Sequence, residues 1–151
     1  MSAASVIELP VPVTVRSDLL GTIEVDPAAV FTFPRGLLGF PECRSFVLVP
    51  SERDHVYWLQ SADYPSLAFL VIDPFTFFEG YTVDLAATEL ARAPISPDNV
   101  TILAIVTLPR AAGDRPTANL QGPLVLDSRR SEGFQVIVAD GRYGIRETLA
   151  L

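Results

Sequence analysis

Lysine is absent from the 151-residue chain, and cysteine, histidine, methionine and tryptophan occur once each. Without lysine, Gly36-Leu37-Leu38-Gly39 is not a Walker loop, because that motif sets an ammonium group beside backbone amides that cradle a phosphate. A single thiol, Cys43, and a single imidazole, His55, exclude an intramolecular disulfide and the zinc or multi-histidine sites that need several such ligands. No cofactor or metal is expected. No apolar run reaches the roughly 18 residues of a membrane span, and no basic segment leads into an apolar core with a small-residue cleavage site. The expectation is a soluble, cytoplasmic protein that does not bind membranes.

What is present is a chain of one-domain size with 49% hydrophobic and 19% charged residues, enough apolar surface to offset the entropy of ordering it. The net charge is −7 and every basic residue is arginine. Acidity is concentrated in the middle: residues 1–50 carry −2, residues 51–99 carry −6 and residues 100–151 carry +1. Such a field opposes phosphate backbones and favours basic partners. Arg129-Arg130 beside Glu132 is a weak phosphate footprint and reads as a solvated turn, so no direct nucleic-acid binding is expected.

Short β-branched and aromatic runs separated by Gly, Pro and Asp predict strands at Thr22–Val25, Val30–Phe33, Phe46–Val49, Val56–Gln60, Leu67–Ile72, Tyr81–Val83, Val100–Leu108, Pro123–Leu126 and Phe134–Ala139. Leu67–Ile72 and Ile102–Val106 are apolar at successive positions, the pattern of strands covered on both faces. Helical character is confined to Leu85–Arg92, with Asp84 as cap and Pro94 as stop, and to a turn at Ser96-Pro97-Asp98. Residues 1–16, with Pro10 and Pro12, read as an extended or flexible arm. The predicted fold is mainly β: a small antiparallel barrel-like single domain over residues 17–151 with one or two short helices.

Few residues suggest chemistry. His55 precedes a strand in a polar loop with no nucleophile elbow for company, and Cys43 sits in the turn Pro41-Glu42-Cys43-Arg44, where the thiol is an inert, half-buried group. Phe33-Pro34-Arg35-Gly36 and Leu38-Gly39-Phe40-Pro41 read as two turns flanked by aromatics. Asp54, Asp63, Asp73, Glu79, Asp84 and Glu89 fall within forty residues. A pair of them on a β-barrel would suit a carboxylate-dependent hydrolase, and a small-ligand-binding barrel is a further alternative. Turn and cap chemistry accounts for Asp63-Tyr64-Pro65, Asp73-Pro74 and Asp84 without catalysis.

The segment Asp73-Pro74-Phe75-Thr76-Phe77-Phe78-Glu79-Gly80-Tyr81 places four aromatics in nine residues. Read as extended chain, it puts Phe75 and Phe77 on one side and Thr76 and Phe78 on the other. One strand face cannot bury them all, and aromatics beside acids suit protein docking.

In order, Gly21-Thr22-Ile23-Glu24-Val25-Asp26, Phe33-Pro34-Arg35-Gly36-Leu37-Leu38-Gly39-Phe40, Tyr57-Trp58-Leu59-Gln60-Ser61, Leu67-Ala68-Phe69 with Asp73-Pro74-Phe75, and Thr117-Ala118-Asn119-Leu120-Gln121-Gly122-Pro123-Leu124 resemble the FliW family over about residues 18–138. The resemblance implies a cytoplasmic, non-enzymatic regulator of flagellum assembly. Its implied partners are CsrA, an RNA-binding translational repressor of flagellin mRNA, and flagellin, which draws the regulator away from CsrA and receives chaperone-like protection. The protein alone is expected to be a monomer. Asp63, Leu67, Phe69, Asp73, Phe75, Phe78, Glu79, Tyr81 and Asp84 are the expected partner-binding residues, joined by Thr117 and Asn119 from the last block. The sequence departs from the family in the predicted helix, which holds fewer acids, and at Gln121 and Phe134, where relatives carry basic residues.

Overall fold

The computed structural model describes residues 11–85, 97–139 and 141–150. Its strands are β1 Val13–Ser17, β2 Gly21–Val25, β3 Val30–Thr32, β4 Ser45–Pro50, β5 Val56–Ser61, β6 Ala68–Ile72, β7 Val100–Thr107, β8 Thr117–Ala118, β9 Leu124–Asp127, β10 Glu132–Gln135 and β11 Glu147–Thr148. Seven of them form a closed ring in the order β7-β6-β5-β4-β3-β10-β9, completed where β9 pairs with β7 from Val100↔Asp127 to Leu103↔Leu124. Pairing around the ring is antiparallel apart from one parallel rung between β10 and β3, Glu132↔Thr32. The mainly β, barrel-like fold expected from the sequence is the one observed.

Alternation along the strands separates two layers of apolar side chains. Phe46, Leu59, Val71, Leu103, Leu124 and Leu126 join Phe33 and Leu37 in one core, with Phe69 and Ile105 packed against it. The residues between them, Ile72, Ala104 and Val106, belong to a second cluster with Val56, Tyr81, Ala118, Leu120 and Leu149. This double cover is why β6 and β7 are apolar at consecutive positions. Phe33 crosses Phe46 edge to face at 5.2 Å between centroids. Its ring lies so close to the β10 backbone that any Cβ at Gly133 would overlap it.

Both predicted turns after β3 form. Gly36, at φ +64°, donates its N–H to the Phe33 carbonyl at 2.9 Å, and a Cβ there would stand 2.6 Å from the Pro41 carbonyl oxygen. Leu37 and Phe40 bridge the second turn. On the far side of the sheet, Asp127 Oδ1 accepts from the N–H groups of Arg129 and Arg130, which shapes the β9–β10 turn around the solvated arginine pair. Ser131 then donates to the Ala28 carbonyl at 2.7 Å, and its own carbonyl accepts from Thr32 N–H, joining this turn to β3.

β1 is extended chain that runs across residue 16, pairs with β2 over its whole length and buries Val15 and Ser17, because Val13, Val15 and Ser17 share one face of the strand. Several local expectations change. The aromatic segment is not extended: α1, Pro74–Phe77, is a single helical turn, with Asp73 accepting from Phe75 N–H at 3.0 Å and Pro74 at its start. Residues Tyr81–Val83 form no strand. The predicted helix Leu85–Arg92 lies outside the described residues beyond Leu85, whereas Pro97–Asn99 forms one 3-10 turn. β10 ends at Gln135, short of the predicted Ala139, and β8 and β11 add two-residue strands that the sequence pattern does not signal.

Candidate protein-docking face

Strand β6 divides the expected patch in two. Asp63 and Leu67 lie before its first residue, and Asp73, Phe75, Phe78 and Glu79 lie after its last. At about 3.3 Å per residue these groups sit roughly 17 Å apart along the barrel wall.

At the first end, Asp63 is exposed, with Ser61 Oγ accepting from its N–H. Leu67 is half-buried and lines a hollow of about 220 Å³ with Phe40, Glu42, Cys43, Tyr64 and Ser66. Cys43 is buried, and its thiol pKa is raised first by burial and then by the Glu42 and Asp63 carboxylates. This opposes thiolate formation, as expected of an inert cysteine. Phe69 points into the barrel, 5.3 Å from Phe40 edge to face and 6.1 Å from Phe46, so it braces the wall from inside and is poorly placed for docking.

The second end presents the aromatic. Phe75 is 47% exposed, with its ring centroid 5.5 Å from that of Tyr81. Tyr81 continues to Tyr143 at 4.7 Å, and the Arg142 guanidinium lies 5.0 Å above the Tyr143 ring. Tyr81 itself is only 4% exposed, and its hydroxyl donates to the Leu120 carbonyl at 2.8 Å. Phe78 is half-buried against the outer core. One aromatic of the segment therefore faces solvent, braced by Tyr81, while Phe77 and Phe78 are half-buried against the outer core.

Beside Phe75, Asp73 accepts from Phe75 N–H and from the Thr76 hydroxyl, both at 3.0 Å. Its Oδ2 is 3.7 Å from His55 Nδ1. His55, in the left-handed region at φ +65°, fixes the same corner through its carbonyl, which accepts from Asp73 N–H at 3.0 Å. Glu79 and Asp84 are exposed. A hollow of about 250 Å³ joins Asp73 and Phe75 to Tyr57, Thr101 and Leu103; Tyr57, Thr101 and Tyr143 come from three distant segments, and no local sequence signal links them to this site.

Thr117 and Asn119 lie elsewhere. Asn119 Oδ1 accepts from Gly122 N–H at 2.8 Å, a loop-forming role, and Thr117 pairs between Thr107 and Thr148 in the sheet extension beside β7. Asp127, the one buried acid among the described residues, is committed to the β9–β10 turn.

The described geometry is a closed barrel filled with side chains, with one exposed aromatic, Phe75, braced by Tyr81 beside the Asp73 carboxylate. The profile of the family described as "FliW protein" matches residues 14–149. A flagellar assembly factor FliW from Moorella thermoacetica is 36% identical over 137 residues, covering 89% of this chain and 87% of that protein. One from Treponema denticola is 34% identical, covering 89% and 92%. A crystal structure of the flagellar assembly factor FliW superposes with a TM-score of 0.80 at 32% identity, covering 92% of this chain and 98% of that one. The chain belongs to the FliW family, a family of flagellar assembly factors.

Proposed function

We propose that this protein acts in flagellum assembly as a non-enzymatic regulator in the cytoplasm, docking CsrA and preventing it from repressing flagellin mRNA. Flagellin is the competing partner: as it accumulates it draws the protein from CsrA and gains chaperone-like protection. The protein is a monomer when alone and binds neither nucleic acid nor membrane. Among the described residues no helix is long and apolar enough to cross a membrane.

The observation that carries this reading is Phe75, exposed but braced by Tyr81, with Asp73 and Glu79 on either side of it in the chain. A rigid aromatic loses little entropy when a partner covers it, and such anchors dominate binding energy at interfaces. CsrA must present positive charge to RNA. A docked body of net charge −7 is attracted to that surface and repels phosphate near it.

Calorimetric titration into CsrA from the same organism, at low and high salt, with release of flagellin-leader RNA followed in parallel, tests the proposal. Binding that weakens with salt and expels RNA supports it. A folded sample that binds CsrA at no salt concentration refutes it.

A further inference from the structure

Three of the eleven arginines converge where the rest of the molecule would not predict them. Arg110 and Arg115, on the loop after β7, and Arg146, just before β11, line one open groove of about 750 Å³. All three are exposed. None makes an ion pair or side-chain hydrogen bond with another described residue. Asp114 is the only acid in the lining, so the groove carries excess positive charge on a protein of net charge −7. Unpaired guanidinium groups gathered on an otherwise acidic surface repel one another and stabilise nothing internal, and such groups suit fork-like recognition of carboxylate or phosphate.

The floor of the groove is ordered. Thr107, Thr117 and Thr148 sit side by side across β7, β8 and β11 and all three line it, offering a row of hydroxyl donors. Leu108, 53% exposed, adds an apolar contact beside the arginines. The groove is open, so it suits an extended segment better than an enclosed small molecule. A polyanion such as RNA would meet the repulsion of the whole protein, whereas a short acidic segment carries too little charge to suffer it strongly.

We propose that this groove binds an acidic, extended peptide segment of a protein partner, its carboxylates held by Arg110, Arg115 and Arg146 and an apolar side chain resting on Leu108. The groove lies beyond Thr107 at one end of β7. The Phe75 hollow, lined by Val100 to Leu103, lies toward the other, roughly 13–23 Å away along the strand. The two surfaces are therefore open to partners of opposite charge at once, and the groove does not depend on the CsrA reading.

The test is fluorescence anisotropy with labelled hexaglutamate, using labelled hexaglutamine and a single-stranded RNA 20-mer as comparisons, on the wild type and on R110Q/R115Q/R146Q. The substitutions lie on exposed positions, and an unchanged thermal midpoint establishes that the variant folds. The expected result is salt-sensitive hexaglutamate binding, weakened at least tenfold in the variant, with hexaglutamine unbound. Equal affinity for both peptides, hexaglutamate binding that the substitutions leave intact, or no binding at millimolar peptide overturns the proposal. Tighter RNA binding through the same arginines reassigns the groove to nucleic acid and also overturns it. Because the variant keeps Phe75 and Asp73, its CsrA titration is expected to match the wild type, which separates failure here from failure of the CsrA reading.

Discussion

The Tyr81 hydroxyl donates a 2.8 Å hydrogen bond to the carbonyl of Leu120, thirty-nine residues further along the chain. This bond pins the loop after α1 onto the outer core, and through the ring contact with Phe75 it fixes the exposed anchor. Tyr81 thus supports the docking face from beneath, where partner atoms do not reach.

Tyr81→Phe and Phe75→Ala are accordingly expected to separate stability from binding. Removing the buried hydroxyl leaves the Leu120 carbonyl unsatisfied and costs about 1–3 kcal/mol in urea denaturation, with CsrA affinity nearly unchanged. Phe75→Ala removes a ring already half in water and costs under about 1 kcal/mol of stability. The reverse ordering in denaturation would contradict the assigned roles.

Gly133→Ala tests how the barrel is filled. The added methyl collides with the Phe33 ring, and overpacking of this kind costs about 1–3 kcal/mol. Phe33→Leu in the same chain makes room, so the double variant is expected to be more stable than the sum of the single changes predicts. Additive losses would mean that the ring and the glycine are not in contact.

Gln60 offers a pH-dependent test. It is fully buried, and its Nε2 lies within 3.0–3.4 Å of the carbonyls of Ser61, Tyr64, Pro65 and Leu67, holding the β5–β6 loop. Gln60→Glu replaces that N–H donor with a carboxyl oxygen facing only carbonyl acceptors, so the fold favours the protonated carboxyl and raises its pKa above the unfolded value of about 4.3. A raised acid binds more protons folded than unfolded, so stability falls as pH climbs through this window. The deficit relative to the wild type is expected to be small below about pH 4 and to grow to several kcal/mol by neutrality. A deficit independent of pH would contradict the donor assignment.

Cys43 is expected to react slowly with a thiol reagent, with the rate rising only above the ordinary thiol range. Burial is the main cause, supplemented by Glu42 and Asp63. Glu42→Gln and Asp63→Asn should shift the reactivity profile modestly to lower pH. Rapid labelling of the native protein at neutral pH would contradict the buried placement.

The parts of this fold legible in the sequence are those set by local pattern. The consecutive apolar positions of β6 and β7 encode two covered faces, and Phe33-Pro34-Arg35-Gly36 encodes its turn because Gly36 is held at positive φ against the Pro41 carbonyl. Ring closure between β7 and β9 was not legible, since no local feature of Leu124–Asp127 names its neighbour. Two-residue strands such as β8 and β11 are too short to show a period.

At the site, the aromatic cluster was visible but its geometry was not. Alternate spacing sorts the rings by side only in extended chain, whereas Asp73-Pro74 is a cap followed by a proline at the first helical position, a signal for the helical turn that forms. That turn exposes Phe75 and leaves Phe78 half-buried against the outer core, with Tyr81 buried beyond it. The convergence of Arg110, Arg115 and Arg146 depends on the register of β11 with β8 and has no sequence signature.

The central claim is that CsrA docks at the Phe75 end, and the most direct measurement is the CsrA affinity of Phe75→Ala beside that of the wild type, by calorimetry at low and high salt. The account predicts a loss of at least tenfold, about 1.4 kcal/mol or more, persisting at high salt because the ring's contribution is apolar. Wild-type affinity in a folded Phe75→Ala sample would contradict it and place the CsrA surface elsewhere on the barrel.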